Sequence, residues 1–185
     1  MPARPLRDTY RHGNLRAEAV RVAYELATAD GAGALSLRRV ADSVGVAHRS
    51  LYNHFADREA LVDAVAEQGF LDLADALRPA QSLADYVRAY VTFALRRPQL
   101  YALMKSRPHA TMKDRPELQA AVHLSIAEAM RLFGRPDRSK AENRRAVMRV
   151  LILLHGGITM HQAGILDVEG DEGLIAELTA MAEAG

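Results

Sequence analysis

An all-α protein is what this chain predicts, on three observations. Apolar residues recur at three- and four-residue steps through most of its 185 residues, no alternating strand pattern of any length interrupts them, and glycine, proline or a capping residue stands at each break. The predicted architecture is an N-terminal three-helix unit containing a helix-turn-helix, joined through a connecting helix to a larger C-terminal helical bundle.

Residues 1–13 carry two prolines and no periodicity, and read as a flexible arm made basic by Arg4, Arg7, Arg11 and His12. From Asn14, the residues Leu15, Ala19, Val22, Ala23 and Leu26 share one helix face, and Asp30-Gly31 ends the helix with glycine in the left-handed C′ position. Ser36 suits the N-cap of a second, short helix whose apolar stripe is Leu37, Val40, Ala41 and Val44, stopped by Gly45. A third helix from about Ala47 to His54 buries the edge that carries Leu51 and Phe55.

Asp57 caps the connecting helix, whose run Leu61, Val62, Val65, Gly69, Leu73 and Leu77 ends at Pro79. Ser82 with Asp85, and Ser139 with Glu142, have capping-box spacing, in which hydroxyl and carboxylate satisfy each other's orphan N–H groups. Helices are expected at about 82–96, 98–106, 116–133, 140–164 and 170–183. The resulting division is residues 1–13 as arm, 14–60 as the helix-turn-helix domain and 61–185 as the C-terminal domain.

Composition narrows the functions open to such a fold. With no Cys there is no disulfide framework, thiol nucleophile, Cys-ligated zinc or iron–sulfur cluster. The longest apolar stretch, Val150 to Met160, is broken by His155 and two glycines and falls short of the ~20 residues of a membrane span. The basic N-terminus is followed by no signal-peptide core, so a cytoplasmic protein without membrane contact is expected. Net charge is only +1, yet the first 60 residues hold nine Arg against seven acids, whereas six acids and no Lys or Arg follow from Asp167 onward. The two ends are suited to different partners.

The segment Ser36 to Phe55 has what a helix-turn-helix requires: a small first helix, a glycine turn, and a second helix apolar on one edge only. At 100° per residue, His48, Arg49, Tyr52 and Asn53 fall in one arc of about 140°, opposite Leu51 and Phe55. Arg can pair bidentately with guanine and Asn with adenine, while Tyr and His can donate to phosphate oxygens.

This segment resembles the DNA-binding end of the TetR family of bacterial regulators. The resemblance rests on the helix at 14–29, Leu35-Ser36-Leu37-Arg38, the Val-Ala and Gly-Val turn, and Leu51-Tyr52-Asn53-His54-Phe55 followed by Asp57-Arg58-Glu59-Ala60-Leu61. It covers about the first third of the chain. Farther on, Arg97 to Met104 and His155-Gly156 resemble a branch with a Trp-His-Gly-like signature, with Leu154 where that Trp would stand.

The resemblance implies a homodimer on a palindromic operator of double-stranded DNA, released by a small apolar or amphipathic effector, with no cofactor or metal. It implies recognition-helix contacts from His48, Arg49, Ser50, Tyr52 and Asn53, phosphate contacts from His54 and Arg58, and contacts from Ser36 and Arg38. Ala47 departs from the family's Ser or Thr at the start of the recognition helix, which removes a side-chain cap.

In the bundle, Tyr90, Phe93, Met104, His123, Met130 and His155, with Met160 and His161 beyond them, are candidates to line an effector cavity. The same residue types at helical spacing also make ordinary core. Gly156 and Gly157, each costing about 1 kcal/mol in a helix interior, suggest close approach of another backbone, as at a subunit interface. The resemblance places the last two helices in a four-helix dimer bundle. Val147, Val150, Leu151, Leu154 and Ile158 form one stripe there, and Leu174, Leu178 and Met181 another.

A helical small-molecule-binding protein or enzyme without sequence-specific DNA binding is the alternative. It has little support, since no metal-binding His spacing, phosphate loop or Gly-x-Ser-x-Gly elbow is present. A DNA-binding regulator whose bundle serves only to dimerise is the third reading.

Overall fold

The structure, a computed structural model, describes residues 15–107 and 113–184. The basic arm, with Arg4, Arg7, Arg11 and His12, lies outside the described residues. The helices in chain order are α1 (Leu15–Asp30), α2 (Leu37–Val44), α3 (His48–Tyr52), α4 (Arg58–Leu77), α5 (Leu83–Arg96), α6 (Pro98–Lys105), α7 (Pro116–Phe133), α8 (Lys140–Gln162) and α9 (Gly170–Glu183). No strand occurs among the described residues, and no helix there is long and apolar enough to cross a membrane.

The capping residues act locally as their chemistry demands. The Ser36 hydroxyl accepts from the Arg39 amide at 3.1 Å, and the Asp57 carboxylate from the Ala60 amide at 2.8 Å. Ser82 with Asp85 and Ser139 with Glu142 both form complete capping boxes. Such a cap is worth about 1 kcal/mol, which matters most for α2, only eight residues long. Gly45 closes α2 in the left-handed conformation at φ 78°.

Gly31 departs from expectation. Its φ of 79° is positive, but ψ is 179°, a region open only to glycine and outside the left-handed helical well. The chain therefore leaves α1 extended and enters a short 3-10 turn at Ala32–Ala34, which carries Leu35 into the core. The α3 helix is also shorter than predicted. The amides of His54 and Phe55 both donate to the Leu51 carbonyl, a tightening that ends the helix and turns Phe55 inward.

Helix α4 organises the rest. Its buried set, from Leu61 through Leu77, runs around most of the helix and includes Asp63. Its flanks pack against α1, α5 and α6, and its most extensive contact is with α7. The expected boundary between residues 60 and 61 therefore falls in its first turn. Helix α9 packs on α5 and α8, closing the bundle.

The paired glycines of α8 have different surroundings. A Cβ on Gly157 would lie 2.4 Å from Cδ2 of Leu178, so this glycine admits an α9 side chain of the same chain, not the backbone of a second subunit. A Cβ on Gly156 would meet nothing within 4 Å. The stripe Val147, Val150, Leu154 and Ile158 is likewise the chain's own core, with Leu151 half-buried beside it. The Gly157→Ala variant is expected to lose about 1–2 kcal/mol net, because the added methyl overpacks buried Leu178 at the α8/α9 contact by more than the ~1 kcal/mol that alanine gains over glycine in a helix interior. Urea denaturation measures it, and an unchanged midpoint would show that α9 shifts freely.

Candidate nucleic-acid interface and bundle cavity

Two buried anchors set the presentation of α3. Leu51 is fully buried and Phe55 is 3 % exposed, with the Arg16 guanidinium 5.7 Å from the Phe55 ring centroid. With that edge fixed inward, His48, Arg49, Tyr52, Asn53 and His54 are all exposed, and Ser50 is half-buried. The outward arc is thus held by a helix of five residues. Tyr52 is 50 % exposed, a costly position for a large aromatic ring, and it meets His48 edge-on at 5.0 Å. Ala47 caps the helix with extended backbone and no side-chain bond.

Ser36 and Arg38 are exposed at the start of α2, on the same helix-turn-helix. Arg58 has an intramolecular role: Nε donates to the Leu35 carbonyl at 2.9 Å, Nη2 to that of Ala32 at 2.6 Å, and Nη1 to Glu59 at 2.8 Å. It ties the start of α4 to the chain entering α2, and a DNA contact would have to share its guanidinium with those acceptors.

Residues 19–65 match the family described as bacterial regulatory proteins, tetR family, and residues 83–182 match the tetracyclin repressor-like C-terminal domain. The chain belongs to the TetR family. Among solved structures, a protein of unknown function from Rhodococcus sp. RHA1 is 30% identical over 97% of this chain and 98% of its own, with a TM-score of 0.78. A TetR transcriptional regulator from Rhodococcus sp. RHA1 shares the fold at 21% identity and TM-score 0.68, covering 92% of this chain and 95% of its own. A TetR transcriptional regulator from Legionella pneumophila does so at 15% identity and TM-score 0.58, covering 98% of each chain. No curated protein matches the sequence. Membership of the TetR family makes the chain a DNA-binding transcriptional regulator and not an enzyme.

A cavity of about 160 Å³ lies between α4, α5, α6, α7 and α8. Of the residues expected to line it, Tyr90 and Met104 do. His123 and Met130 do not: α7 turns Leu118, Val122, Ser125 and Ala129 inward, leaving both exposed. Phe93 is buried on another side of α5, where the Arg97 guanidinium lies 5.1 Å from its ring centroid, and faces a separate surface groove. His155 is exposed on α8 and outside the lining, but is joined to it by hydrogen bonds: its Nδ1 pairs with the Tyr101 hydroxyl at 3.1 Å, which pairs with that of Tyr90 at 3.3 Å. Desolvation, and secondarily the Lys105 charge, hold His155 below its usual pKa, while burial pushes the Tyr101 phenol well up.

Sequence reasoning missed Tyr86, Lys105 and Arg107 in the wall. The legible signals were the Tyr86/Tyr90 spacing of one helical turn and two cations just before a proline. Arg107 also reaches α4, where Nη1 donates to Glu59 at 2.7 Å and to Asp63 at 3.2 Å. Asp63 pairs in addition with Arg115, so the one buried carboxylate of α4 is flanked by two guanidinium groups. This compensates a charge that would otherwise be costly to bury.

The bond from Arg107 is the largest cause holding Glu59 below the ordinary carboxylate value of 4.5. A carboxyl depressed by folding adds stability above its unfolded pKa, and that contribution is lost as pH falls through the folded value. The parent and Glu59→Gln are therefore expected to differ in urea midpoint at pH 7 and to converge between roughly pH 5 and pH 3. The difference is small, since Glu59 is about half exposed. A separation constant across that range would place the effect elsewhere than in this ion pair.

Proposed function

We propose that the chain is a ligand-responsive repressor that binds a palindromic operator as a homodimer and is released by a small molecule. Residues 14–60 then form the DNA-binding part and 61–185 the effector-binding and dimerisation part. The observation that carries this reading is the exposed arc of His48, Arg49, Tyr52 and Asn53, held outward by the burial of Leu51 and Phe55. Such a protein acts on DNA in the cytoplasm. Ser50, His54, Ser36 and Arg38 flank the arc and supply phosphate contacts, with Arg58 contributing only in so far as its intramolecular bonds allow.

Dimerisation is supported by an apolar surface the chain leaves uncovered. On α8, Met148 is 45 % and Ile152 65 % exposed, one turn apart and one turn before Gly156, whose open side gives a partner helix room to approach. Met160 and Met181 are exposed beyond them on α8 and α9. A second copy placed on this face buries what a monomer leaves in water. Ligand release is supported by Arg107, which belongs both to the cavity wall and to the ion pairs at the start of α4.

Selection of bound duplexes from a random pool is expected to recover a palindrome, with affinity falling on a log–log salt slope of roughly −5 to −7 if about 6–8 phosphates are neutralised. Tyr52→Ala weakens binding to every duplex, whereas Arg49→Ala and Asn53→Ala also relax discrimination by about 1–3 kcal/mol per lost base contact. Equal losses on operator and random DNA for all three would remove the base-reading assignment. Ile152→Arg is expected to give a monomer by sedimentation and to lower operator affinity by about tenfold or more. A dimer of unchanged stability would move the interface off this face of α8.

A further inference from the structure

We propose that the bundle cavity binds a small monocarboxylate with a short aromatic or aliphatic body, its carboxylate held by Lys105, Arg107 and the Tyr86 hydroxyl. This rests on the reading that the C-terminal bundle receives an effector, and it names the chemical class. Three observations converge on it.

Size is the first. A cavity of about 160 Å³ is close to one of ~150 Å³ that accepts benzene, so the part of the occupant held between the helices is about the size of a benzene ring. Apolar walls are the second: Phe70 and Leu73 of α4, Val122 and Ile126 of α7 and Leu151 of α8 favour a hydrocarbon body.

The polar groups of the wall decide the rest, because what remains unpaired among them is short of acceptors. The Tyr86 hydroxyl is fully buried, lies on a residue of the wall, and has no hydrogen-bond partner among the described residues. Arg107 Nε, an obligate donor, is buried and unpaired in the same sense, although Nη1 of that side chain is engaged by Glu59 and Asp63. Lys105 is exposed at the rim, its ammonium 5.3 to 5.7 Å from the ring centroids of Phe70, Tyr90 and Tyr101, with no carboxylate within 4.0 Å among the described residues. Of the other two hydroxyls of the wall, Ser125 donates to the Val122 carbonyl at 2.8 Å and Tyr90 pairs with the Tyr101 hydroxyl at 3.3 Å. Among the described residues, no Asp or Glu lines the cavity.

Three donors without acceptors, two of them cationic, are satisfied by a ligand that only accepts and carries negative charge. A cationic ligand would meet like charge, and a neutral amide would leave the two cations of the wall without a counter-charge. A dianion would bring more charge into an apolar space than the half-committed Arg107 and the single Lys105 can balance.

The test is calorimetric titration of the full chain with benzoate and its neutral isostere benzamide, followed by butyrate and hexanoate. Benzoate is expected to bind at least tenfold more tightly than benzamide. Lys105→Met, at an exposed position where folding is little affected, reduces benzoate affinity about tenfold and narrows that discrimination, while Lys105→Arg retains it. Equal binding of benzoate and benzamide, undiminished benzoate binding by Lys105→Met, or no carboxylate binding at millimolar concentration would each overturn the proposal. Operator release is measured with the same compounds. Carboxylate binding that leaves operator affinity unchanged keeps this site and removes the ligand-release reading. Release by an uncharged compound, with no carboxylate bound, keeps that reading and overturns this one.

Discussion

Everything in this chain leans on one helix that has to be buried on nearly all sides. A helix of twenty residues such as α4 is about 30 Å long, and few of its turns can face water without exposing Leu, Val or Phe. Helix α1 covers one flank, α5 and α6 cover others, and α7 lies along it most extensively. The DNA-binding unit and the bundle thus share a rigid element in place of a linker. The hydrophobic effect that holds α4 in the bundle also fixes where α2 and α3 stand.

A polar connection runs alongside that apolar one. One Glu59 oxygen accepts from Arg107 of the cavity wall and the other from Arg58, which in turn donates to the Ala32 and Leu35 carbonyls ahead of α2. Three side chains therefore join the cavity to the entrance of the helix-turn-helix by charge-assisted bonds. Coupling between sites needs an element that both can bias. Under the proposed ligand-release reading Arg107 would be that element, because it belongs to the cavity wall and also donates to the carboxylates of Glu59 and Asp63 on α4. On the other side of the cavity, Tyr90 and Tyr101 carry a second hydrogen-bonded path out to His155 on the exposed face of α8.

Much of the fold was legible because its signals are local. Ser36, Asp57, Ser82 and Ser139 cap the helices they were expected to open, and these bonds reach only three residues along the chain. The outward set on α3 was equally readable, since a five-residue helix with two inward anchors leaves one orientation for the others. Gly31 was misread because a positive φ is compatible with more than one ψ. What surrounds it is also non-local: Oε1 of Gln99 on α6, sixty-eight positions away in sequence, would stand 2.8 Å from an added Cβ.

The bundle divided differently. Periodicity identified apolar stripes on α8 and α9 but could not say what each one meets, because a buried face reads the same whether it packs on its own chain or on another. Gly157 admits Leu178 of the same chain, while the Met148 and Ile152 side of α8, outside the stripe that periodicity singled out, is the face left open. The cavity residues followed the same logic: His123 and Met130 were chosen for chemistry, whereas Tyr86, Lys105 and Arg107 became neighbours only through the packing of α5 and α6 on α4 and α7. By itself the sequence determined the helices, their caps, the family and which side chains of α3 face outward, since each depends on spacings within a few turns. Tertiary structure alone decided which cations and phenols surround one small cavity, because that depends on contacts between helices distant in the chain.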